Sequence, residues 1–330
     1  MSTRPSGIRS KPRGSFRWLA TILLVVAAVW AVSAQDVALP ANPDSVKFAV
    51  FGDNGTGDRW QMEVAQQMAV SHATFPFDMV FMLGDNIRGG ESPRDFVDKF
   101  ATPYAPLLTA GVQFYAALGN HDTTKVDRAY QLWNMAGQRY YTFSKKSVHF
   151  FVLDTNDPDP GQLSWFAGAL RDSGEGWKIC FFHHPLYSNG QTHGSDLELR
   201  AMLEPILVKY GVNVVFSGHD HVYERIVPQR GITYFVSGAG GELRKGDVKP
   251  AKNTAAYFDQ DRSFVLVEID GDDLHFEAIS RVGKSVDAGV ITLHPRTFRL
   301  GALGSCPSGE GLTRPVAPPP TCRGSAAPAA

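Results

Sequence analysis

The sequence predicts an α/β layered fold with many parallel strands, on three observations. Five short runs rich in β-branched and aromatic residues each lead into Asp, Asn or His. Segments of helical spacing stand between them, and such alternation favours parallel strands covered by helices. Beyond residue 230 the texture changes to strand, turn, strand. Ligands of open α/β folds bind outside the carboxyl ends of the strands, so the five polar ends are expected to gather at one place.

Taken in order, VKFAVFGD is the first strand and ends at Asp53; DRWQMEVAQQMAV (58–70) follows with helical spacing. DMVFMLGD ends at Asp85 and is followed by the helical stretch PRDFVDKFATPYAPLL (93–108). QFYAALGNHD ends at Asn120 and His121, and DRAYQLWNMA (127–136) is read as a helix, as is GQLSWFAGALRDS (161–173). WKICFFHH ends at His183 and His184, DLELRAMLEPILVKY (196–210) is helical, and VNVVFSGHDH ends at His219 and His221. Alternate side chains of an extended segment face the same way, so these last two histidines meet one spot if the strand geometry continues. ITYFVSGAGGEL and SFVLVEIDGDDLHFEAI, the second with an Asp-Gly turn signal, are expected as antiparallel pairs at the far side of the second sheet. Gly238 to Gly241 suit a tight backbone passage beside the polar ends.

The chain has 330 residues, 43% of them hydrophobic, an ordinary globular composition, and nothing resembling a linker divides 35–300, which is read as one domain. Residues 1–17 carry Arg4, Arg9, Lys11, Arg13 and Arg17 and no acid; Trp18 to Trp30 is almost wholly apolar, and Val32-Ser33-Ala34 offers small residues for cleavage. Residues 1–34 are therefore read as a signal peptide and the product as secreted or periplasmic. A retained anchor is the competing reading, but the apolar run is short against the ~20 residues of a span, so no stable membrane insertion is expected after cleavage. Loss of the segment removes five cations and takes the formal net charge from −1 to −6, which gives no basic patch for nucleic acid or an anionic membrane. Cys306 and Cys322 flank a Gly/Pro-rich stretch that a disulfide would close, worth roughly 3 kcal/mol. Cys180, inside WKICFF, reads as a buried small hydrophobe. Residues 301–330 form a Gly/Pro/Ala-rich tail.

The polar ends supply two Asp, one Asn and several His, hard and borderline ligands suited to Fe, Mn or Zn. Two divalent ions against two carboxylates leave a charge of roughly +2, which attracts a phosphate dianion and polarises water. FGDNG, LGDN, LGNHD, FHHPLYS and GHDHVYER, with LDTN (153–156), QLSW (162–165) and VSGAG (236–240), stand in an order that resembles the calcineurin-like metallophosphoesterases, in particular the small, tartrate-resistant purple acid phosphatase branch. The similarity covers about residues 46–240.

That resemblance implies a four-layer αββα sandwich with two mixed β-sheets and a dinuclear site of divalent or trivalent ions. Asp53 and His221 would hold the first ion, Asp85 would bridge, and Asn120, His183 and His219 would hold the second. His121 would contact the transferring phosphoryl group. His193, in NGQTHG, is either the acid that protonates the leaving group or a surface histidine. Two departures stand out: the wider superfamily has a histidine where this chain has Gly55, and purple acid phosphatases have a tyrosine where it has Arg88. The first ion keeps only Asp53, Asp85 and His221 as identified ligands, and no purple colour is expected. Arg88 is a phosphate clamp for substrate or a residue closing a turn before Gly89. His184 is read as a filler turned to the opposite face; His72, His149, His275 and His294 as structural or surface residues; Tyr187, Tyr223, Glu224 and Arg225 as orienting ligands or packing. The implied activity is hydrolysis of small-molecule phosphate monoesters by a metal-bound hydroxide. A phosphodiesterase or nucleotide phosphohydrolase on the same site, and a binding protein with a degenerate site, are the alternatives.

Overall fold

The computed structural model describes residues 39–122 and 125–293, which fall in one compact unit. The signal segment, the boundaries at 34 and 300, His294, the Cys306–Cys322 pair and the tail lie outside the described residues. The chain begins with β1 (Val46–Phe51), α1 (Arg59–Thr74), β2 (Met79–Met82), α2 (Pro93–Phe96), α3 (Ala105–Thr109) and β3 (Gln113–Ala116). It continues through β4 (Tyr141–Lys145), β5 (Val148–Val152), α4 (Pro160–Asp172), β6 (Trp177–Phe181), α5 (Leu197–Tyr210) and β7 (Val214–Ser217). The last strands are β8 (Tyr223–Gln229), β9 (Ile232–Ser237), β10 (Thr254–Phe258), β11 (Ser263–Asp270), β12 (Asp273–Ser280) and β13 (Ser285–Thr292).

Two mixed sheets result, ordered β13-β12-β11-β1-β2-β3 and β10-β8-β9-β7-β6-β5-β4. The pairs β1–β2, β2–β3, β5–β6, β6–β7 and β7–β9 are parallel. Strand alternation sorts side chains into layers. Val46, Phe48 and Val50 of β1 enter a core shared with Phe150, Phe181 and Phe216 of the other sheet, where Phe81 stacks on Phe181 at 4.7 Å. Ala49 and Phe51 face the opposite way, against Val64 and Met68 of α1 and Leu107 of α3. On the outer face of the second sheet Phe151, Cys180 and Val215 meet Phe166 of α4 and Leu203 of α5. Three cores between four layers make an αββα sandwich.

Helix starts follow local capping: Asp58 accepts from Trp60 N and Gln61 N, Asp159 from Gln162 N, and Asp196 from Leu199 N. Several expectations are corrected. The 93–108 stretch breaks into α2, a π-helical turn (Val97–Ala101) and α3, with Pro106 in the first turn of α3. Residues 127–136 are two 3-10 turns rather than a helix, because Tyr130 is extended and Asn134 left-handed. The aromatic rings of Tyr130 and Trp133, tilted against Phe96, satisfy the apolar positions without a helix. The β11–β12 hairpin turns at Asp270-Gly271 but pairs with β1 in the first sheet, not with the second, while β9 lies parallel to β7. Among the described residues no helix is long and apolar enough to cross a membrane.

Candidate metal centre

β1, β2, β3, β6 and β7 each run into a turn that carries one or two of the polar ends. Backbone bonds carry the strand pairing past the strand ends: Asp53 N donates to Gly84 O at 2.9 Å, Gly218 N to His183 O at 2.9 Å, and Gly52 N to Ser237 O at 2.8 Å across the two sheets. Three of the polar residues, Asp53 (φ 54°), Asp85 (φ 52°) and His219 (φ 69°), lie in the left-handed region. That conformation costs a non-glycine residue about 1–3 kcal/mol and concentrates at functional sites. β7 stops at Ser217, so strand alternation does not aim His219 and His221. The left-handed turn at His219 sends the two rings to different partners.

Asp53, Asp85 and His221 form one set whose ligand-type atoms lie within 4.8 Å of one another. All three are buried. His219 N donates to Asp53 Oδ2 at 2.9 Å, while Asp53 Oδ1, buried and without a hydrogen bond, lies 3.3 Å from His221 Nε2. His183, His184 and His219 form the second set. His183 Nε2 is 3.0 Å from Asn120 Oδ1, 3.1 Å from His219 Nδ1 and 3.5 Å from Asp85 Oδ1, so Asp85 links the two sets. His184 is not turned away: its ring centroid is 4.5 Å from that of His219, and its Nδ1 meets Thr155 Oγ1 at 2.9 Å.

The donor chemistry of these residues fits cations. His183 Nδ1 faces the Leu83 carbonyl oxygen at 2.9 Å and must carry the proton there, which leaves Nε2 a bare lone pair turned toward a carboxylate oxygen. A ligating histidine whose other nitrogen donates to a backbone carbonyl is the usual support of such a site. Neutral imidazoles suit a cation better than imidazolium ions do. Burial drives His183 well below its ordinary value, burial and the neighbouring histidines push His219 down to about 2, and burial with the Arg244 charge brings His221 to about 4. Asp53 moves the other way, well above the ordinary carboxylate range, through burial and the charge of Asp85.

Around this centre, Asp122 accepts from Asn86 N, Ile87 N and Gly119 N and so ties the turns that carry Asp85 and Asn120. Asp220 accepts from Ser188 Oγ and Gly194 N, which docks the loop of His193. A Cβ at Gly238 would lie 2.3 Å from Asp220 O and 2.7 Å from Asp53 Oδ2, the close passage that the glycine run suggests. On the open side Asn120 and His121 are exposed. Arg88 Nη1 pairs with Glu242 at 2.9 Å and its Nη2 meets His121 Nε2 at 2.9 Å; it does more than close a turn. The ring of His193 lies tilted against that of His219, centroids 4.1 Å apart, and its Nε2 meets Arg244 Nη2 at 3.0 Å. Tyr223 and Arg225 bond Asp287, Tyr187 bonds Glu204, and Glu224 holds Asn189; these four knit strands and loops. Sequence reasoning missed Glu242 and Arg244; the one signal was a pair of charges at alternate positions directly after a glycine-rich strand end.

The chain is similar to known phosphoesterases. The model of the calcineurin-like phosphoesterase family matches residues 46–223. Purple acid phosphatase 17 of Arabidopsis thaliana is 30% identical over 291 residues, which cover 72% of this chain and 85% of that protein. Human tartrate-resistant acid phosphatase type 5 is 27% identical over 315 residues, 81% of this chain and 95% of that protein. Among solved structures, a purple acid phosphatase from yellow lupin (Lupinus luteus) seeds shares the fold with a TM-score of 0.64 at 20% identity, covering 77% of this chain and 55% of that one.

Proposed function

Since the chain belongs to the calcineurin-like phosphoesterase family and has purple acid phosphatases among its relatives, we propose that this metal-dependent hydrolase is an exported phosphatase acting on small-molecule phosphate monoesters. The observation that carries the reading is the position of Asp85, within reach of both ligand sets. The phosphatase names of the relatives support the monoester preference. The cationic and apolar N-terminal segment supports export.

Asp53 and His221 would hold one ion, Asn120, His183 and His219 a second, with Asp85 shared. Ions of the Fe, Mn or Zn type supply Lewis-acid activation of water and positive charge for the phosphoryl oxygens. The residues do the rest. Asp85 keeps the two sets together, and its Oδ1 is oriented by His121 N at 2.9 Å. The His121 ring, held by Arg88 Nη2, meets the phosphoryl group from the open side, where charge develops as the bond to the leaving oxygen breaks. A guanidinium only donates, so the contact with Arg244 makes His193 Nε2 an acceptor. The His193 proton then resides on Nδ1, where it can hydrogen-bond the leaving oxygen while water supplies the proton that oxygen takes up.

His121→Ala tests this division of labour. Ions per chain should stay at the wild-type number, while kcat for 4-nitrophenyl phosphate falls about 10²-fold, the usual loss when one charge-stabilising group is removed. Loss of metal on the scale of a ligand substitution would instead make His121 part of the ion cage.

A further inference from the structure

The segment after β9 lies along the metal centre. Gly240 N donates to Gly52 O, Glu242 N to Asp53 O and Arg244 N to His221 O, each at 3.0 Å. Alternate residues are thereby fastened to the very turns that carry Asp53 and His221. The two side chains differ in how their charge is met. Glu242 pairs with Arg88 and neutralises it. Arg244 forms no ion pair among the described residues; Nε donates to His221 Nδ1 at 3.3 Å and Nη2 meets His193 Nε2 at 3.0 Å. Its two partners are imidazoles, which offer a hydrogen bond each and no negative charge, and Nη1 makes no hydrogen bond among the described residues. A half-buried guanidinium is ordinarily matched by an anion, and among the described residues no carboxylate pairs with this one.

We propose that Arg244 is a specificity-determining residue that binds a second anionic group of the substrate, a phosphate or a carboxylate, on the leaving-group side of the centre. The inference rests on the phosphatase reading for the meaning of that side, which His193 marks by its ring contact with His219. The transferring phosphoryl group is met by the ion sites and His121; a second anion beside His193 meets Nη1 of Arg244. Phosphate esters or anhydrides that carry such a group are bound more tightly than esters of neutral alcohols.

Calorimetric titration of the metal-loaded full chain with imidodiphosphate, phosphonoacetate and orthophosphate tests the proposal. Expected are about tenfold or greater preference for at least one of the first two over orthophosphate, and loss of most of that ratio in Arg244→Gln at unchanged metal content. Tight binding of imidodiphosphate alone identifies a second phosphate, and of phosphonoacetate alone a carboxylate. No preference in the wild type, or an equal ratio in Arg244→Gln, overturns the proposal. Should Arg244→Gln lose an ion through its contact with His221, Arg244→Lys, which keeps the charge without the fork, decides by the same ratio: a reduced ratio supports the proposal and an unchanged one overturns it. Hydrolysis of 4-nitrophenyl phosphate, followed in parallel, separates the two readings. Its absence alongside an Arg244-dependent ratio overturns the phosphatase reading alone, and its presence without such a ratio overturns only the role of Arg244.

Discussion

Asp85→Asn is expected to leave a folded chain that no longer holds two ions and has lost about 10³-fold or more in kcat. The carboxylate is buried, is grouped with Asp53 and His221, and lies 3.5 Å from His183, so each ion site loses part of its negative charge at once. A Lewis-acid contribution of several kcal/mol at about 1.36 kcal/mol per decade of rate accounts for the magnitude. The metal-free protein should respond in the opposite direction. Burial and the charge of Asp85 both raise Asp53, so removing that charge relieves a repulsion between buried groups, and the melting temperature of the chelated variant should equal or exceed that of the chelated wild type. Ion counting with thermal melting checks both halves. Two ions per chain and wild-type turnover would mean that Asp85 is not shared.

Gly84→Ala should be among the most damaging changes that replace no ligand. Gly84 has φ +97°, and a Cβ there would lie 2.5 Å from His183 Nδ1 and 2.7 Å from Gly119 N. The first condition strains any L residue. The second drives a methyl group into a ring held by its bond to Leu83 O and into the backbone just before Asn120, neither of which has room to yield. About 3 kcal/mol of stability should be lost in urea unfolding, together with binding at the ion site that His183 and Asn120 serve. A variant within about 0.5 kcal/mol of wild type and fully loaded with metal would show that this turn is more plastic than its contacts imply.

The strand ends were legible because they are local. An apolar run followed by Asp, Asn or His can be read from the chain itself, and the structure gathers Asp53, Asp85, His183, His219 and His221 into two linked sets. What escaped depended on distant partners. Both sheets present apolar inner faces, so nothing within β11 and β12 says which sheet they join; register with β1 decides it. β4 is half exposed and β8 carries Glu224, Arg225 and Pro228, so neither forms the apolar run that marks a strand. The 127–136 segment has helical spacing, but its aromatic residues find their partners through 3-10 turns. Strand alternation turns His184 away only if it continues past Phe181, where β6 ends. Arg244 reaches the centre only because its segment is bonded to the Asp53 and His221 turns, a relation that no spacing in the sequence encodes.

The most direct measurement is release of phosphate from 4-nitrophenyl phosphate by chelated protein, before and after Fe, Mn or Zn is returned, with bound ions counted on the same samples. The expected result is no turnover after chelation, and recovery that reaches its maximum at two ions per chain. Full activity at one ion per chain, or two bound ions without hydrolysis of the monoester, would contradict a dinuclear phosphatase.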